Sequence, residues 1–248
     1  MMKRKLLNSL ILAALAVPAA AMADTAPASP FSGNVALTTD YLARGITQTD
    51  HRGAIQGGYD YVNPNGIFVG AWGSNISWLQ DSPGYGYTKG AGLELDTYAG
   101  YTASFATDYT YTVGFLRYNY SGEKTPGAIS ASTNELNAAL GWKMLSVKYS
   151  RSFTNLFGTP DSVGSNYLEL NGTYTLEGPA IGLSAHYGKQ KFSGTGNDVY
   201  TYSDYNVKAT KDFGGYVAGL EYSSTNADKA YWGNAGDGKL ILSLSHSM

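Results

Sequence analysis

The sequence predicts an all-β fold: an antiparallel transmembrane β-barrel of about 12 strands, with short periplasmic turns and longer extracellular loops. Three observations predict it. Twelve segments alternate apolar and polar residues with period two, and no helical period competes over comparable lengths. The connections between them alternate short and long, as in membrane barrels. Tyr and Gly reach 21 and 31 of 248 residues while charged residues make up only 15%. That composition suits a chain whose lipid-facing signal is hidden at every second position.

The chain opens on the basic stretch MMKRK, followed by the apolar run LLNSLILAALAVPAA and the small-x-small site Ala21-Met22-Ala23. This is the pattern of a signal peptide over 1–23, cleaved after Ala23. Asn8 and Pro18 interrupt the run, and it is short for a membrane helix. Residues 24–31, DTAPASPF, read as a linker, and 32–248 as the barrel. Lys3, Arg4 and Lys5 leave with the leader, so the 17 basic residues fall to 14 against 19 acidic ones. An acidic mature chain is a poor partner for nucleic acid. With no cysteine there is no disulfide framework or thiolate chemistry. His51, His186 and His246 lie far apart, without metal-ligand spacing, and no cofactor is expected.

The segments run over 33–43, 53–61, 66–78, 92–102, 108–120, 133–143, 145–153, 166–177, 180–191, 199–211, 215–224 and 238–248. The apolar phase of the first is Val35, Leu37, Thr39, Tyr41 and Ala43. In the third it is Phe68, Gly70, Trp72, Ser74, Ile76 and Trp78. In the sixth it is Leu136, Ala138, Leu140 and Trp142, and in the ninth Ile181, Leu183, Ala185 and Tyr187. The last reads Leu240, Leu242, Leu244, His246 and Met248. Pro64, Pro83, Pro126, Pro160 and Pro179 all fall between segments, where no ladder donor is needed. Tyr and Trp gather near segment ends (Tyr41, Tyr61, Trp78, Tyr101, Tyr109, Tyr120, Trp142, Tyr200, Tyr202), as interfacial girdles do.

Lipid must meet the apolar phase, so the opposite phase points into the lumen. It carries Asp40, Asp60, Glu94, Asp96, Glu135, Glu169, Asp204 and Glu221, with Lys148, Lys208, His186 and Arg44 in the same phase. These are the expected pore-lining residues. Extending the first strand puts Arg44 about 13 Å above Asp40 on the same wall, at ~3.3 Å per residue. RGITQTD then forms an outer hairpin loop at the pore mouth. Arg117, Arg151 and Lys189 fall on the lipid phase at outer strand ends, where cations meet lipopolysaccharide phosphates.

The stretch GNVALTTDYLARGITQTDHRGAIQGGYDYVNPNGIFVGAWGSN resembles the TorF-type porins, a proteobacterial family of conserved hypothetical proteins. The resemblance rests on Gly33 to Val35, Asp40-Tyr41, Arg44 to Thr49, Ala54 to Tyr61, and Gly66 to Asn75. The chain departs from the pattern by ending on Met248 rather than an aromatic residue. The resemblance implies an outer-membrane barrel with porin activity and brings no catalytic residues.

The expected function is passive diffusion of small polar solutes through a narrow, acidic-lined pore in the outer membrane of a Gram-negative bacterium. Its partners would be outer-membrane lipid, lipopolysaccharide, the barrel-assembly machinery and the solute. The alternative is a non-conducting barrel that binds a ligand or partner through its outer loops. An enzyme is not expected. A Ser/His lipid hydrolase needs both groups on one face, and Ser245 and Ser247 point away from His246.

Overall fold

A computed structural model describes residues 29–248; the signal-peptide reading, and most of the linker, lie outside them. Twelve antiparallel strands close into one barrel. They are β1 (Phe31–Thr38), β2 (Ala54–Val62), β3 (Ile67–Asn75), β4 (Leu93–Ala106), β5 (Tyr109–Tyr120) and β6 (Thr133–Trp142). There follow β7 (Leu145–Ser152), β8 (Asn166–Leu176), β9 (Ile181–Lys191), β10 (Tyr202–Asp212), β11 (Tyr216–Thr225) and β12 (Lys239–Ser247).

Each strand pairs with its sequence neighbours, and β12 returns to β1 in the register Asn34↔Ser247 to Thr38↔Ser243. The seam runs to the last residue: Gly33 N–H donates to the Met248 carbonyl at 3.0 Å, and Met248 N–H to that of Gly33 at 2.8 Å. Closure is obligatory, because an open edge in hydrocarbon leaves backbone groups without partners. The short turns, the start of β1 and the end of β12 share one rim, the periplasmic one by the rule for such barrels. The six long loops, 39–53, 76–92, 121–132, 153–165, 192–201 and 226–238, share the other.

The exterior is apolar. Leu37, Ile55, Leu136, Leu170, Val207 and Leu242 are all more than 50% exposed. Burying such a surface requires lipid, and the polar phase points inward. Near the periplasmic rim, outward rings pack in pairs: Phe31 on Tyr61, Tyr101 on Tyr111, and Tyr109 on Trp142.

Two sequence expectations are corrected. In β3 the outward residues are Ile67 and Val69, while Phe68 and Ser74 are buried and Trp72 packs inside against Tyr41. Both phases of this strand are apolar, so alternation alone could not orient it. Its partners do: a Cβ on the inward Gly100 of β4 would collide with the Phe68 ring, and one on Gly70 with the Tyr98 ring. The glycines leave room for large rings on the inside.

The second correction concerns the outer aromatics. Tyr41, Trp78, Tyr120, Tyr200 and Tyr202 form no girdle but pack in two apolar clusters within the loop end of the barrel. One cluster centres on Tyr41, Ile76, Leu79 and Tyr87, the other on Ile46, Leu156, Phe192 and Tyr202. The outer loops fold inward and bury apolar side chains there, with Leu79 and Leu156 fully buried.

A salt-bridged hairpin across the lumen

The candidate site grows from the first outer loop. β1 stops at Thr38, and Asp40 gathers the chain that follows. Its carboxylate accepts from Thr47 Oγ1 at 2.5 Å and Thr49 Oγ1 at 3.1 Å, meets His51 Nδ1 at 3.0 Å, and lies 3.4 Å from Lys239 Nζ on β12. Leu42–Ala43 and Ile46–Thr47 then pair as a miniature hairpin. Its two-residue turn, Arg44-Gly45, has φ of 51° and 78°. Positive φ at both central residues is the signature of a type I′ turn, and glycine makes the second one easy. A Cβ on Gly45 would lie 2.6 Å from both Asp204 Cβ and Thr225 Cγ2, so the tip is also packed tight against β10 and β11.

The hairpin turns inward, which corrects the extrapolation that stood Arg44 above Asp40 on the same wall. Arg44 reaches to β6, where Nη2 donates to Glu135 Oε2 at 2.7 Å and Oε1 at 2.9 Å. Nη1 donates to Gln190 Oε1 on β9 at 2.6 Å. The guanidinium carbon lies 4.5 Å from the Tyr167 ring centre and 5.7 Å from that of Phe157. Burial opposes the charge on Arg44, but the adjoining Glu135 carboxylate outweighs it and holds the guanidinium firmly protonated. Neighbouring loops grip the hairpin. Ser77 N–H donates to the Gln48 carbonyl at 2.8 Å, Thr47 N–H to that of Ala235 at 3.0 Å, and Arg52 pairs with Asp81.

Below Arg44 most of the inward charges are paired or hydrogen-bonded. Tyr167 Oη donates to both oxygens of Asp204 at 3.0 Å and meets His186 Nε2 at 2.9 Å. His186 Nδ1 lies 2.7 Å from Asn171 Oδ1. Lys148 pairs with Glu169 at 2.7 Å and Lys208 with Glu221 at 3.4 Å. Asp60 accepts from Tyr98 Oη at 2.6 Å. Glu94 accepts from Tyr41 Oη at 3.2 Å and is buried, as is Asp96 beside it. On β5 and β7 to β9 the inner wall toward the periplasmic rim carries smaller, more open residues, including half-buried Thr112, Ser146 and Ser184 and exposed Thr173 and Thr175.

Of the charged residues read from the sequence as lumen-facing, Arg44, Asp204 and His186 thus gather around Tyr167, with Glu135 joined through Arg44 and Glu169 through His186, while Asp60 and the Lys208–Glu221 pair stand apart. Phase did not identify Gln190, Tyr118, Tyr167 or Lys239 as partners, although all four occupy inward positions. Arg117, Arg151 and Lys189 lie outward and exposed, near the loop ends of β5, β7 and β9; Arg117 is held by Asn119 and Asn134.

A closed antiparallel barrel, apolar outside and ion-paired within, is a transmembrane β-barrel of the outer-membrane class. The chain belongs to the Gcw_chp family, bacterial proteins of unknown function, which matches residues 22–245. Among solved structures it is similar to the KdgM porin in complex with disordered oligogalacturonate, at 12% identity and a TM-score of 0.49, over 88% of this chain and 98% of that one. It is also similar to OprD of Pseudomonas aeruginosa, at 14% identity and a TM-score of 0.42, over 88% of this chain and 66% of that one. OccAB4 of Acinetobacter baumannii matches at 12% identity and a TM-score of 0.44, over 84% and 56% of the two chains. No curated protein matches the chain.

Proposed function

We propose that the protein is an outer-membrane channel of the porin type that passes small polar solutes down their gradient, and that the first outer loop governs its mouth. The observation that carries this reading is the lumen itself. Its wall along β7 to β9 is polar and exposed toward the periplasmic rim, and it is interrupted at the outer side by a hairpin held through the Arg44–Glu135 pair. A purely structural barrel has no need of a polar wall below its plug. Selection would act by size and by lining charge, in which the eight inward acids outnumber Arg44, Lys148, Lys208 and Lys239. The signal peptide over 1–23, the barrel-assembly machinery as partner, outer-membrane residence and the TorF-type resemblance belong to the same reading.

The second reading is a non-conducting barrel that works through its outer loops, and the two apolar clusters filling the mouth favour it. Planar-bilayer recording decides between them. Purified protein should give discrete, cation-preferring steps, and Arg44→Ala should raise their open probability. Silence from both proteins, or clear anion selectivity, would sink the channel as stated.

A further inference from the structure

We propose that Glu94 and Asp96 form a binding site for the primary ammonium group of a small solute, immediately below the first outer loop. It rests on the channel reading only in calling the ligand a solute.

The two carboxylates are neighbours on the inner face of β4, roughly 6–7 Å apart along the strand. They are 1% and 5% exposed. Glu135, Glu169 and Asp40, buried at similar depth, each have a cation: Arg44, Lys148 and Lys239. Asp204 has His186 and the Tyr167 hydroxyl. No ion pair involving Glu94 or Asp96 forms among the described residues, and Glu94 Oε2 and Asp96 Oδ1 have no hydrogen-bond partner there. An unpaired carboxylate taken out of water is costly, and two side by side more so. These unmet acceptors ask for a positive, hydrogen-bonding guest.

The surroundings select its kind. Tyr41 donates to Glu94. Trp72 and Tyr118 are the cross-strand partners of Asp96, and Ser74 and Tyr120 are those of Glu94. Trp72 meets Tyr41 edge-on at 5.3 Å. An ammonium group offers three donors to the free oxygens, and aromatic rings favour it over a strongly hydrated metal ion. Next along the same inner face, toward the periplasmic rim, stands the half-buried Tyr98.

Trp72 provides a readout that does not depend on conduction. The full mature barrel, refolded in detergent, is titrated with ethylammonium chloride and with sodium chloride at matched ionic strength. Intrinsic fluorescence should change saturably with ethylammonium and not with sodium. Glu94→Gln/Asp96→Asn should weaken the response tenfold or more, whereas Asp60→Asn should leave it intact. Heat-modifiable migration on gels verifies folding, and if the double variant fails it, each single variant replaces it. No saturable response, an equal response to sodium, or a response surviving neutralisation overturns the site. Conductance of the same preparation keeps the two proposals apart: steps without binding refute only the site, and binding without steps refutes only the channel.

Discussion

Arg44 makes its contacts on four different strands, through Glu135, Gln190, Tyr118 and Tyr167. Its side chain is 11% exposed and that of Glu135 only 2%. Removing one member of such a pair strands the other in a poor solvent. Arg44→Ala should therefore destabilise the barrel by about 3–5 kcal/mol, and Arg44→Met/Glu135→Leu should recover most of that loss. Urea unfolding in lipid vesicles measures both; a neutral Arg44→Ala would mean that the hairpin is held by its neighbours alone. The Arg-Gly dipeptide was legible as a bend, but its target was not. Glu135 lies 91 positions away, and the polar alternation is the same whether the loop stands up or folds in.

At the scale of elements, the strands follow from alternation because lipid and lumen impose opposite chemistry on adjacent residues. The rule fails where both phases are apolar, as in β3, and where a residue has left the strand, as Tyr41 has. The consequence can be measured with single-tryptophan variants in vesicles of brominated lipid. Trp142, outward and 45% exposed, should be quenched strongly, and Trp72, inside, only weakly. Strong quenching of Trp72 would restore the orientation first read from the sequence.

At the scale of the whole molecule, twelve strands enclose a space that backbone closure alone leaves empty, and inward-folding loops occupy its outer part. The exterior carries its own asymmetry. Arg117, Arg151 and Lys189 stand near the loop rim on the outward face. If they meet lipopolysaccharide phosphates, each contributes about 1 kcal/mol, the worth of a basic residue at an anionic membrane surface. Adding lipopolysaccharide to vesicles should stabilise the wild-type barrel, and replacing all three residues by Ala should remove most of that gain. An undiminished gain would place the contact elsewhere.

The sequence by itself determined the number of strands, their order, the sorting of short turns from long loops and, in most strands, which face meets lipid. These are local consequences of period two, proline placement and apolar content. Tertiary structure alone decided that the long loops turn inward, that Arg44 reaches Glu135, and that Glu94 and Asp96 are left without a cation among the described residues. Those outcomes depend on which residues from distant strands meet inside a closed wall. A side chain's alternation phase states its face but not its partner, and a loop's composition does not state whether water or the lumen will hold it.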